Sequence, residues 1–76
     1  MERINAGYTI IESVKTGSRS EIVIGRRPTA PAPFVVWDCL DGDNYNTGGY
    51  CQTYRQALLI LSERIRTRYD SLPRDI

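Results

Sequence analysis

The ligating and reactive side chains of this chain are densest in residues 41–53, DGDNYNTGGYCQT, where two carboxylates, two adjacent glycines and a cysteine precede the start of a helix. Three chemistries could use them. A calcium loop takes oxygen ligands at alternating positions, glycine at the sixth and a bidentate glutamate at the twelfth; Asp41 and Asp43 supply two ligands, but Asn46 and Gln52 occupy those two places. A phosphate site would set Gly48 and Gly49 before free helix amides. No lysine follows, however, and the spacing is neither that of a P-loop nor of a dinucleotide fingerprint. Zinc would need partners for Cys39 and Cys51, and the chain has no third cysteine and no histidine. The stretch therefore reads as a turn and a strand delivering the chain to its helix, with no metal and no cofactor. Its glycines mark a bulge, or a place where Trp37 of the facing strand lies across the backbone.

Nucleophilic chemistry fares no better. Without histidine the commonest general base is missing, and Lys15 is remote in sequence from both thiols. A bridge between the thiols is not expected either. With the hairpin centred near Gly42 and Asp43, Cys39 pairs close to Asn46, which leaves Cys51 on the order of 17 Å further along at strand rise. A disulfide needs α-carbons within about 7 Å. Two separate buried thiols in a reducing cytoplasm, and no enzyme, are the expectation.

Composition sets the remaining bounds. A chain of 76 residues with 41% hydrophobic and 25% charged residues is a single ordinary globular domain, residues 1–76. Folding at this size removes only roughly 60% of the unfolded chain's surface, so the core is small. No apolar run approaches a membrane span or a secretory signal, so a cytoplasmic protein with no membrane partner is expected. The net charge of +1 argues against a chain built to neutralise phosphates. Nine of the ten cations are nonetheless arginine, whose planar fork suits bidentate contacts and stacking; GC-rich coding would produce the same bias.

The elements that must hold these residues follow from pattern. YTIIESVK and EIVIG read as strands joined by a turn at Thr16, Gly17 and Ser18, over about 7–15 and 21–26. RRPTAPAP, residues 26–33, is an extended connection, because its three prolines cannot donate to a ladder. FVVWDCL, 34–40, is the strongest strand; Asp41 to Asn44 make a tight turn that tolerates positive φ, and the return strand runs over 45–51. Thr53 and Gln56 match a capping box, so a helix occupies about 53–70. Its sheet-facing stripe is Tyr54, Ala57, Leu58, Leu61, Ile65 and Tyr69, with Leu59 and Ile60 off it, and Ser71, Leu72 and Pro73 end it. The fold class is α+β: an antiparallel meander of three to four strands with one carboxy-terminal helix packed on one face.

YTIIES, VIGRRPTAPAPFVVWDC and DGDNYNTGGYC resemble segments of small uncharacterised proteins of Gram-positive phages and conjugative elements, which pair a proline-rich bend with an aromatic hairpin before a final helix. The likeness covers residues 8 to about 65. It implies a mobile-element setting, in which small proteins bind and block a host or rival factor, and it carries no catalytic residues.

The third strand is apolar on both sides: Phe34, Val36 and Leu40 on one, Val35, Trp37 and Cys39 on the other. One helix covers one side. The second side then exposes Trp37 or Tyr50 in the monomer, buries them in a homodimer, or is wrapped by the proline segment. The candidate binding residues are Trp37, Tyr50, Tyr45 and Val35 for a protein partner and, for nucleic acid as the second choice, Arg26 and Arg27 at the bend with Arg55, Arg64, Arg66 and Arg68 on the helix. A protein-binding inhibitor or adaptor of anti-defence type, using the aromatic face or an exposed strand edge, is the leading expectation.

Overall fold

The computed structural model describes residues 2–72. Five strands and a helix follow in order: β1 Ile4–Asn5, β2 Tyr8–Lys15, β3 Ser20–Arg26, β4 Phe34–Leu40, β5 Asn44–Cys51 and α1 Tyr54–Asp70. All neighbours pair antiparallel in the order β1-β2-β3-β4-β5, so the sheet is a meander. The expected α+β class, meander and final helix are present, and the count of three to four strands is one short. The missing strand is β1, two residues long and joined to β2 through Ala6 and Gly7, both at positive φ (52° and 83°). Two such residues make the turn whose twist suits a hairpin. Alanine pays a steric cost there, which only the tertiary context of β1 can offset.

The strongest local signals place their elements within a residue. Asp41 and Gly42 turn the β4–β5 hairpin at positive φ (57° and 82°), and Leu40 pairs with Asn44 across it. Thr53 caps α1: its hydroxyl accepts from the Gln56 amide, while the Gln56 side chain accepts from the Thr53 amide. Pro73 lies outside the described residues.

Two hydrophobic clusters occupy the two faces. Under the helix, Ala57 and Leu61 pack on Ile22, Ile24, Val36 and Cys51, with Val14, Phe34, Ile60 and Ile65 at the margin. The expected helix stripe is thus turned by one position: Ile60 lies on it, whereas Leu58, Tyr54 and Tyr69 are exposed. Four consecutive apolar residues, Leu58 to Leu61, allow either stripe, and the line of α1 over β3, β4 and β5 selects Ala57, Ile60, Leu61 and Ile65. On the opposite face Tyr8, Val23, Val35, Trp37 and Cys39 form the second cluster, flanked by Ile10, Ala30 and Tyr45.

Candidate functional site

Of the two aromatics expected on the second face, Tyr50 is open to solvent and Trp37 is not. Trp37 is 5% exposed in the single chain, because the sheet curls until residues of distant strands meet over it. Tyr8 of β2 sets its ring edge-on to Trp37 at 5.7 Å, Tyr45 of β5 does so from the other side at 5.5 Å, and Tyr8 reaches Tyr50 of β5 at 6.2 Å. The proline segment helps to close the top. Rather than running extended, it turns back on itself, with the Ala30 amide donating to the Arg27 carbonyl, and the Tyr8 hydroxyl donates to the Ala32 carbonyl at 2.6 Å. Gly25 and Gly48 make the floor thin enough for the indole. A Cβ on Gly25 would stand 3.0 Å from Trp37, and one on Gly48 would stand 3.1 Å from its Nε1.

The bulge expected near the glycines is present. The β4–β5 register shifts between Val36 and Asp38, so Trp37 opposes an extra residue, and Thr47 there takes a positive φ of 56°. Gly48 serves the aromatic side, whereas Gly49 faces the helix, where Arg64 and Ile60 lie across it.

Sequence reasoning missed the other half of this face, which is polar. Glu21 is buried at 7% exposure, and Arg3, just ahead of β1, reaches over to it with two bonds, Nη1 to Oε1 at 2.9 Å and Nη2 to Oε2 at 3.2 Å. The same guanidinium donates to the Gly42 carbonyl at 3.2 Å, contacts Cys39 Sγ at 3.6 Å and stacks on the Tyr45 ring at 5.7 Å. Ser13 of β2 donates to Glu21 Oε1, the oxygen that also accepts from Arg3 Nη1. The Arg3 and Ser13 hydrogen bonds hold the Glu21 carboxyl below its usual range against the opposing effect of burial, with the charges of Arg3 and Lys15 adding to them. Arg3 is held protonated above its usual range by the same bond. The available signal was Glu21 itself, on the same alternating side as Val23 and Gly25 in an apolar strand: such a carboxylate requires a cation.

The thiols stand apart on opposite faces, Cys39 beneath Arg3 and Cys51 beneath α1, both buried and free. Burial pushes both thiols up; at Cys39 the Glu21 charge pushes further and Arg3 partly opposes it. Thiols held neutral in this way are poor nucleophiles. No group of three or more metal-ligating side chains occurs among the described residues.

The candidate residues divide among several places. Val35, Trp37, Tyr45 and Tyr50 share the aromatic face; Tyr50 is 58% exposed at its margin, while Val35 is fully buried. Arg26 and Arg27 are exposed at the start of the proline segment and make no ion pair among the described residues. Arg64 turns inward, donating to the carbonyls of Val36 (3.3 Å) and Thr47 (2.7 Å) and to Asp38 (3.3 Å), so it ties α1 to the bulge and is not free for a ligand. Arg66 points to solvent beside Asp70 at 3.9 Å. Arg68 donates to the Thr16 carbonyl. The cations therefore form no continuous stripe.

β5 closes the strand order, and no strand pairs with its outer edge among the described residues. Compared with known protein families, curated proteins and solved structures, the chain matches none. No helix among the described residues is long and apolar enough to cross a membrane.

Proposed function

We propose that the chain is a small non-enzymatic protein-binding module that docks a partner strand on the outer edge of β5, with Tyr50 as its anchor. The observation that carries this reading is the edge itself. It is eight residues long and, although bulged at Thr47 and Gly48, contains no charged residue and no proline, and it ends the sheet beside a tyrosine that is 58% exposed. Unpaired main-chain donors and acceptors are a template for another strand, and proteins that need no partner usually block such edges with charge, proline or bulges. The other open edge differs in carrying charge and partial cover. β2 carries a bulge at Ile11 together with Glu12 and Lys15, and β1 covers its beginning. Neutral buried thiols and the absence of histidine support a non-enzymatic role.

In the mobile-element setting expected from the sequence, the partner is a host or rival factor in the bacterial cytoplasm and the module is its inhibitor or adaptor. Affinity capture from a bacterial lysate, with and without nuclease, tests the reading. The expected result is a protein retained in both arms and lost with Tyr50→Ala, a change of about 2 kcal/mol or more at an anchor residue. Retention unaffected by Tyr50→Ala would sink the edge reading. Loss on nuclease treatment, with dependence on Arg26, Arg27, Arg55 and Arg66, would replace it with nucleic-acid binding. Pairing of β5 with a second copy would appear instead as a concentration-dependent dimer that Tyr50→Ala dissolves.

A further inference from the structure

We propose that the pocket around Glu21 is a guanidinium-binding socket, filled in cis by Arg3 and open to the arginine side chain of a partner when the amino-terminal strap lifts. Every wall of the socket matches a guanidinium. A buried carboxylate takes two parallel N–H bonds, the Gly42 carbonyl takes a third, and the Tyr45 ring supplies a π-face. Ser13 holds the carboxylate through Oε1, the oxygen that Arg3 Nη1 also bonds. A lysine ammonium could satisfy one carboxylate oxygen but not this planar arrangement.

The guest, by contrast, is loosely held by its own backbone. β1 pairs with β2 at two positions only, Ile4 with Thr9 and Asn5 with Tyr8, and one further bond joins the Ile10 amide to the Arg3 carbonyl at 2.8 Å. The Ile4 side chain is 62% exposed, so little apolar burial anchors the strap. Short elements with few buried contacts open locally without global unfolding. The carboxylate left behind would be buried and unpaired, and it would then favour any guanidinium that can reach it. Tyr45 belongs to β5, so a strand laid along the outer edge of β5 passes beside the socket.

Recognition of a free guanidinium does not depend on the protein-binding reading; the assignment of the arginine to a partner does. The test uses the full chain carrying Arg3→Ala, titrated with N-methylguanidinium and, separately, methylammonium, and followed by melting temperature and by the fluorescence of Trp37, the single tryptophan. Saturable stabilisation by N-methylguanidinium is expected, at least about fivefold weaker with methylammonium, and abolished by adding Glu21→Gln. An equal response to both cations, or none, overturns the proposal. Should Arg3→Ala fail to fold, hydrogen exchange of the unaltered chain decides. The Ile10 amide should exchange about tenfold or more faster than the core amides of β3 and β4, and faster still with N-acetyl-arginine amide but not its lysine counterpart. Exchange of Ile10 at the core rate overturns the proposal. Failure of lysate capture with intact N-methylguanidinium binding removes the protein-binding reading and the partner's arginine with it but leaves the socket, and the converse removes only the socket.

Discussion

The two faces of one sheet are closed by different means. Under α1, apolar side chains from four strands meet aliphatic side chains of a seventeen-residue helix, and no single contact dominates. On the other face no helix is available. Closure there depends on sheet curl, which brings Tyr8 to Tyr50, on a folded proline segment, and on one guanidinium bridging Glu21, Gly42 and Tyr45. Apolar burial is non-directional and spreads its stabilisation over many atoms, whereas a buried ion pair concentrates it in a geometry that one substitution destroys. The strap face should therefore be the more sensitive to single polar changes, although both faces hold residues that are fully buried.

The largest effects compare the two cores directly. Trp37→Ala should cost about 3 to 5 kcal/mol, and Leu61→Ala about 2 to 5 kcal/mol, by urea unfolding. A Trp37→Ala loss below about 1 kcal/mol would mean that the curl does not persist in solution and that the aromatic face is open after all.

Next comes the ion pair. Arg3→Ala should cost about 2 to 3 kcal/mol, less than a wholly buried pair because the Arg3 side chain is 37% exposed. The pH dependence follows from the lowered Glu21 pKa. A carboxyl with a lower pKa in the folded state contributes stability that is complete above its ordinary value and is lost as pH falls through the folded value. Melting temperature should thus decline below about pH 5, and Glu21→Gln should flatten that decline. Asp41 is lowered too, by its hydrogen bonds from Arg19, but that pair is at the surface. Asp41→Asn should flatten the acid limb much less than Glu21→Gln. Equal slopes in the parent and Glu21→Gln chains would show that the strap does not depend on charge.

What could be read from sequence was whatever local chemistry decides. The Asp41–Gly42 turn, the Thr53–Gln56 cap and the bulge by Gly48 each depend on residues adjacent in the chain or directly across a hairpin. The rest depends on distant partners. Nothing near Ala6 announces a strand of two residues, and Arg3 finds Glu21 eighteen positions away. One helix covers one side, which points to Trp37 or Tyr50 as exposed; Tyr50 is, whereas curl brings Tyr8 and Tyr45 over Trp37. Arg64 reads as solvent-facing by type, but its long arm reaches three acceptors across the helix face.

That last residue separates packing from surface charge on one helix. Arg64→Ala should cost about 1 to 2 kcal/mol, since it leaves the Thr47 carbonyl at the bulge without its 2.7 Å donor. Arg66→Ala should stay within about 0.5 kcal/mol, as its partner Asp70 is 3.9 Å away and both are exposed. Equal effects in a denaturant titration would remove the structural role assigned to Arg64.

The finest comparison uses two neighbouring residues that look in opposite directions. Gly48 lies on the aromatic side, where a new methyl group would sit 3.1 Å from the indole nitrogen of Trp37 and 3.0 Å from the Tyr50 ring. Tyr50 is exposed and can yield, but Trp37 is wedged between Tyr8 and Tyr45. Gly49 lies on the helix side, where the same methyl group would meet the end of Arg64 at 3.2 Å and Ile60 at 3.6 Å, side chains with room to shift by a few tenths of an ångström. Neither glycine has positive φ, so alanine brings no backbone strain and reduces the entropy of the unfolded chain, a gain of about 0.4 to 1 kcal/mol when nothing clashes. Overpacking against a fixed ring costs about 1 to 3 kcal/mol. Gly48→Ala should thus be destabilising by roughly 1 kcal/mol, and Gly49→Ala close to neutral, measured as denaturant midpoints at unchanged slope. The reverse order would mean that the helix face is the rigid one, and that the strap and its aromatic floor adapt.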